Sequence, residues 1–478
     1  MTTPIYDKSN PSSIESFGRR LIGSTLKKKV GVEEIPLENL KDTEGVHFKG
    51  KFGKMVETYY YGINPKNEPC SPDFVEAGVE LKTNSLKKGK KGLSATQRLS
   101  LSLIDYEGIV SESFESSCFM KKNQSMMLIS RRYKRDGVLA DSRIDLAVIV
   151  KFNELPISDQ QIIKDDWYFI RDKIRRGEAH LLSGSDTKYL EAATKGGVGA
   201  DRVNQPNSVE KARPRGFAFK IGLVTSVIRR YLKDDPESLA DDEQLAITNA
   251  SAIEANGFEE AITDRFASFL GLTVDEIETR VGVSLNRNNK AYKAILARRM
   301  LGVTTRKIAE FERAGIEMKT IQIGSDGSPK QHMSFPAFRY QGEGSILTED
   351  WDSVEVDLET DEDSPERGDM PKIKRTFEER RFLFLVFKGE GPTQILSHVR
   401  FWSMPKDEIE RYVGPVWQQT HDLVSIGVFD KFPKTSFNQI CHVRPHGNTG
   451  EVFPTLRNGD QPKKSFWLDK RYIQAQIA

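Results

Sequence analysis

Cysteine is scarce. Only Cys70, Cys118 and Cys441 occur in 478 residues, an odd number with no Cys-x-x-Cys pair. A disulfide-scaffolded fold and a four-cysteine zinc site are therefore not expected, and a reducing, cytoplasmic setting is. Long apolar runs are lacking too: no stretch reaches the roughly 18 residues of a membrane-spanning helix. Residues 1–30 carry Asp7, Lys8, Glu15, Arg19 and Arg20 without an apolar segment, so a secretory leader is not expected. What is present, 37% apolar and 29% charged residues over this length, suits two or three ordinary domains.

The formal net charge of +2 hides a division. Residues 1–233 hold 40 Lys and Arg against 29 Asp and Glu, a balance of +11; the remainder holds 31 against 40, a balance of −9. A basic first half points to a polyanionic partner, with nucleic acid first among them.

Hydrophobic spacing predicts a mixed α/β (α+β) first domain over residues 1–233. Gly78-Val-Glu-Leu-Lys-Thr, Arg98-Leu-Ser-Leu-Ser-Leu-Ile, Ser125-Met-Met-Leu-Ile-Ser and Ile144-Asp-Leu-Ala-Val-Ile-Val read as strands. Ile162, Ile163, Trp167, Ile170 and Ile174 recur at helical intervals. Residues 234–285 read as an acidic helical linker, and 286–478 as a second mixed domain. Its acidic run at 349–369 reads as a solvated insertion without the spacing of a calcium loop.

The stretch with chemistry is Ser71-Pro-Asp-Phe-Val-Glu-Ala-Gly-Val-Glu-Leu-Lys-Thr83. Glu80 and Lys82, two apart on a strand, share a face. Asp73, on the turn before, can meet Glu80. Two carboxylates in one place make a hard-oxygen site suited to Mg²⁺, and a lysine beside it can orient water for attack on a phosphodiester. Glu-x-Lys alone is commonplace in so charged a chain; the preceding Pro-Asp makes it the pattern of the PD-(D/E)xK nucleases.

The neighbouring stretches extend the pattern. Lys49-Gly-Lys-Phe-Gly-Lys-Met-Val-Glu57 precedes it as a helix, and Phe114-Glu-Ser-Ser-Cys-Phe-Met-Lys121-Lys122 follows it. Together with Tyr189-Leu and Arg215-Gly-Phe217, these resemble the MutH-like family of DNA endonucleases, which includes a mismatch-repair nickase and GATC-cutting type II restriction enzymes. The resemblance covers most of residues 15–233. It implies a helix glutamate at Glu57, metal ligands at Asp73 and Glu80, a catalytic lysine at Lys82, and a second active-site lysine at Lys122, with Lys121 the adjacent rival. It implies DNA contacts at Lys195 and Arg215. Two departures stand out. Ala218 replaces a tyrosine that senses adenine methylation in the nickase, and Ala193 replaces an arginine.

The second half repeats the motif. Glu310-Phe-Glu-Arg-Ala-Gly-Ile-Glu317-Met-Lys319-Thr parallels Asp73-Phe-Val-Glu-Ala-Gly-Val-Glu80-Leu-Lys82-Thr. Ala297 stands where Glu57 stands, and Glu310 replaces Asp73. Lys82 precedes Lys122 by 40 residues, and Lys319 precedes its counterpart Arg380 by 61. The expectation is a second, degenerate PD-(D/E)xK domain that binds DNA without cutting it, as in the two-copy restriction enzymes of the family. Arg444 and His446 fall where the resemblance puts DNA-reading residues. Cys441, His442 and His446 do not predict zinc, because Pro445 breaks the helix that would align the histidines. Tyr59, Tyr60 and Tyr61 read first as core. The runs Lys87-Lys88, Lys90-Lys91, Arg131-Arg132 and Lys134-Arg135 are candidate phosphate contacts or solvated loops.

These readings predict a Mg²⁺-dependent type II restriction endonuclease acting on double-stranded DNA. It would engage two GATC sites, one per copy, with a cognate DNA methyltransferase in the same system. The alternatives are a methyl-directed repair nickase and a non-enzymatic DNA-binding regulator.

Overall fold

The structure is a computed structural model that describes residues 6–31, 51–63, 68–89, 92–133, 139–196, 201–232, 242–353, 370–448 and 450–477. Lys90, Lys91, Lys134, Arg135 and most of the acidic run at 349–369 lie outside the described residues. Two compact units emerge, a first one running to residue 243 and a second one beginning at 244, with 312–314 grouped with the first. Strands and helices mix in both, as the spacing predicts. Among the described residues no helix is long and apolar enough to cross a membrane.

The first unit contains a four-stranded sheet in the order β2-β1-β4-β5, formed by β1 (Glu80–Gly89), β2 (Gly92–Ala95), β4 (Ser125–Arg132) and β5 (Ile144–Lys151). β1 and β4 run parallel, with Glu80 beside Met126 and Lys82 beside Leu128. β4 is buried nearly end to end because the sheet is covered on both faces, which accounts for its unbroken Met-Met-Leu-Ile run. Helix Ile157–Arg175 buries Ile162, Ile163, Trp167, Ile170 and Ile174, the stripe that its sequence spaces at helical intervals. A second sheet, β3-β9-β6, joins β3 (Leu99–Leu103), β6 (Leu190–Thr194) and β9 (Arg215–Phe219), all antiparallel. A small hairpin of β7 (Val203–Gln205) and β8 (Ser208–Ala212) lies between β6 and β9 in sequence.

The second unit has the same order of pairings. β10 (Ile316–Ile323) runs parallel to β12 (Arg381–Lys388), which pairs antiparallel with β13 (Ile395–Trp402). β11 (Met333–Phe338) and β14 (Cys441–Pro445) flank β17 (Lys464–Leu468), and β15 (Val452–Pro454) pairs with β16 (Asp460–Pro462). Its core gathers Phe335, Phe377, Phe382, Phe384, Trp402 and Trp417.

Within residues 244–285, three helices follow one another. Helices Ala250–Asn256, Phe258–Ala267 and Val274–Val281 belong to the second unit. The last is closed by a capping box between Thr273 and Glu276, and backbone bonds from Gly271 to Leu396 (2.8 Å) and from Val274 to Gln394 (2.8 Å) fasten this stretch to β13.

Candidate active site

The loop before β1 is what brings the two carboxylates together. Phe74 and Val79 exchange backbone bonds of 2.9 and 3.2 Å, and Gly78 turns the chain at φ +65°, where a side chain would be strained. Asp73 therefore sits against the start of β1. Its Oδ2 accepts the Leu81 N–H at 2.8 Å, and its own N–H donates to Glu80 Oε2 at 3.1 Å. Glu80 is 3% exposed.

Lys82, on the same face of β1, donates to Glu80 Oε1 and to the Leu101 carbonyl, both at 2.9 Å. The Leu101 carbonyl is a partner that the sequence does not advertise. Lys122 approaches from the helix Cys118–Asn123, which is capped by Ser117, and reaches Glu80 Oε1 at 3.6 Å. Lys121, one residue earlier on that helix, is exposed. Glu57 lies in a π-helical turn, Val56–Tyr60, that continues the helix Lys51–Met55.

The electrostatics are those of crowded, dry carboxylates. Burial first, then Asp73, pushes the Glu57 carboxyl up to about 7. Burial and Glu80 push Asp73 up to about 6. Burial works to lower the Lys82 amine, but Glu80, Asp73 and Glu57 outweigh it and hold the amine above its ordinary value. Asp73, half-buried, and Glu80, buried, are oxygen donors crowded against each other, an arrangement that a hard divalent cation relieves. The donor set thus fits a divalent metal.

Lys122, Lys82, Glu80, Asp73 and Glu57 come together as the motif implies. Other expected residues do not share one open face. Arg215 is 5% exposed and donates to the carbonyls of Ala192 (2.5 Å) and Leu182 (2.6 Å). Its guanidinium holds this neighbouring backbone in place. Lys195 is largely buried and donates to Ser100 Oγ at 2.5 Å. Arg444 is exposed, with its guanidinium 5.6 Å from the Trp467 ring, and His446 lies at 3.0 Å from Ser465 Oγ. Of the basic runs, Lys87 and Lys88 are exposed on β1. Arg132 instead grips Asp145 with two bonds of 2.7 and 3.0 Å, and Arg131 is buried against Phe52. Tyr61 is fully buried and Tyr60 stacks on Phe17, so these aromatics are core.

Cys70 and Cys118 are bonded to each other, a single bridge rather than a disulfide scaffold. They are 48 residues apart, a pairing that spacing does not reveal. The bridge joins the segment before Asp73 to the first turn of the helix that carries Lys122.

The repeated motif folds differently in the second unit. Glu317 pairs with Lys319 at 2.6 Å and with Arg380 at 2.9 Å, the same carboxylate-between-cations arrangement as Glu80 with Lys82 and Lys122. Glu310 does not join them. It lies in a helix, Ala309–Ala314, where the first unit has a loop, and its buried carboxylate accepts the Ala246 (3.0 Å) and Ile247 (2.8 Å) N–H groups. Ala297 is fully buried in the helix Tyr292–Met300.

A strand lysine beside two convergent carboxylates is the arrangement of the PD-(D/E)xK pattern of nucleases. Comparison with known proteins is consistent with that class. Residues 61–166 match the family described as DNA mismatch repair enzyme MutH. The chain is 29% identical to the type II restriction enzyme Sau3AI of Staphylococcus aureus, over 97% of this chain and 98% of that one. DNA mismatch repair protein MutH of Shewanella woodyi is 29% identical over 38% of this chain and 77% of its own. MutH of Yersinia pestis is 23% identical over 38% and 78%. The chain is similar to the MutH-like endonucleases, and it is a site-specific deoxyribonuclease.

Proposed function

We propose that the protein is a type II restriction endonuclease that hydrolyses both strands of duplex DNA at GATC with Mg²⁺. The observation that carries this reading is the buried convergence of Asp73, Glu80, Lys82 and Lys122, in a chain similar along its whole length to a restriction enzyme.

Asp73 and Glu80 would hold the ion, which would supply charge stabilisation at the scissile phosphate. Lys82, fixed by Glu80 and the Leu101 carbonyl, orients the attacking water. The water oxygen bonds to phosphorus as the bond to the 3′ oxygen breaks; that oxygen takes a proton, leaving a 5′-phosphate. Lys122 stabilises the scissile phosphate. Glu57, which burial holds close to half-protonated near neutrality, supports the ligand cluster.

The second unit acts as a degenerate DNA-binding copy, engaging a second GATC site through Arg444 and His446. Its matching strand pairings support a common origin, and the diversion of Glu310 together with Ala297 supports the loss of chemistry. A restriction role implies a cytoplasmic enzyme that works beside a cognate methyltransferase. The test is digestion of plasmids with and without GATC in Mg²⁺. Cutting confined to GATC plasmids is expected; binding without cutting would favour a regulator. Plasmids with one and two GATC sites then probe the second unit, and faster cutting of the two-site plasmid is expected.

A further inference from the structure

The second unit brings three potential ligands together at one end of its β11-β17-β14 sheet. His332 immediately precedes β11, His442 lies on β14, and Asp469 follows β17 as the N-cap of the helix Lys470–Gln476. One ligand atom from each lies within 4.8 Å of the others. The two imidazoles meet edge to face with centroids 4.8 Å apart, and His332 Nδ1 is 3.8 Å from Asp469 Oδ2.

His442 is the telling member. It is fully buried, and neither ring nitrogen has a hydrogen-bond partner. A buried imidazole with both nitrogens unsatisfied costs about 1–3 kcal/mol per group unless something binds it. Packing alone supplies no such partner.

The first unit fills the corresponding positions differently. Leu99, Phe219 and Leu190 align across β3-β9-β6 just as Met333, Leu468 and Cys441 align across β11-β17-β14. One step along each strand, the first unit has Arg98, Lys220 and Glu191. Arg98 and Glu191 form a buried salt bridge at 3.0 Å, and Lys220 donates to the Thr187 carbonyl at 2.5 Å. Those three positions in the second unit are His332, Asp469 and His442. A self-sufficient ion pair has been exchanged for two imidazoles and a carboxylate.

We infer that His332, His442 and Asp469 form a binding site for a divalent ion of the zinc class, separate from the carboxylate site of the nuclease. Two nitrogen donors and one oxygen donor suit such an ion better than Mg²⁺, with a fourth position left for water. Bonds of about 2.0–2.2 Å require the donors to close by roughly 1 Å or more from their present spread. Two groups must adjust. The Lys470 N–H donates to His332 Nδ1 at 3.1 Å and must release it. Arg471 bonds Asp469 chiefly through Oδ1 (2.9 and 3.1 Å), leaving Oδ2, which it reaches at 3.4 Å, as the ligand atom. The ion would tie β11, β14 and the terminal helix beside the exposed Arg444.

This inference does not depend on the nuclease reading, and its test measures metal uptake rather than cleavage. Full-length wild type, His332→Gln, His442→Gln and Asp73→Ala are dialysed against Zn²⁺ and bound metal is counted, with Co²⁺ absorption reporting nitrogen ligation. Both histidine variants are expected to lose one equivalent and the Co²⁺ bands, and Asp73→Ala to retain them. Equal uptake by wild type and both histidine variants would overturn the site, as would uptake that only Asp73→Ala abolishes. Circular dichroism checks folding; should His442→Gln unfold, His332→Gln, at a half-buried position, decides alone.

Discussion

Asp73 and Glu80 clasp each other through the backbone: the Asp73 N–H donates to the Glu80 carboxylate at 3.1 Å, while the Asp73 carboxylate accepts the N–H of Leu81 at 2.8 Å. One oxygen of each side chain is thereby fixed, and the loop and strand are held at the spacing that a shared ion requires. On the proposed reading, Asp73→Ala removes a metal ligand as well as one half of the clasp. Cleavage should fall by roughly 10²- to 10³-fold or more, while GATC binding in Ca²⁺ stays near wild type in a gel-shift measurement. Lys82→Ala should behave alike.

Lys122 and Lys121 separate by orientation. Lys122 reaches Glu80, whereas Lys121 faces solvent. Lys122→Ala should lose most of the cleavage rate and Lys121→Ala little. Single-turnover rates on one duplex decide between them, and the reverse order would move the second lysine by one position.

The metal-free site has a definite pH signature. Asp73 and Glu57 are raised to about 6 and about 7 in the folded chain, above the values of about 4 that they have when unfolded. The folded state then binds more protons than the unfolded one between those values. Their contribution to stability is full below about pH 4 and is lost as pH rises through 6 to 7. Melting in EDTA should therefore show this loss, and saturating Mg²⁺ should offset it above pH 7. Mg²⁺ binding below pH 7 should release protons, which calorimetry in buffers of different ionisation enthalpy measures.

In the second unit, Glu317 sits between Lys319 and Arg380, while Glu310 is turned to the Ala246 and Ile247 N–H groups. Glu317→Ala with Lys319→Ala should leave cleavage nearly unchanged. Glu310→Ala should instead cost about 1–3 kcal/mol of stability, because two buried N–H groups lose their acceptor. Urea unfolding with a cleavage assay on the same preparations separates the two effects.

The Cys70–Cys118 bridge restrains the loop before Asp73. Cys70→Ser should destabilise the oxidised protein by about 2–4 kcal/mol, with no difference between variant and wild type once both are reduced. Melting with and without a thiol reductant, alongside thiol counting, tests this.

Much of the site was legible because it is local. Asp73, Glu80 and Lys82 span ten residues, and strand alternation already puts the last two on one face. The strands around Met127 and Ala147 were legible from their short apolar runs, and the helix around Trp167 from its period. What escaped depends on long-range or conformational choices. The motif at 310–319 repeats that at 73–82, yet one copy opens as a loop and the other as a helix, which sends Glu310 to a different partner. The bonds of Arg215 to the Ala192 and Leu182 carbonyls depend on the sheet that places β9. Cys70 with Cys118, and His332 with His442 and Asp469, meet only through the fold.

Strand-resolved cleavage of a duplex carrying a single GATC, each strand labelled at its 5′ end, tests the central claim most directly. Wild type with Mg²⁺ should cut both strands at the site and leave 5′-phosphates, and Asp73→Ala should cut neither. Nicking of one strand only, or undiminished cutting by Asp73→Ala, would contradict the account.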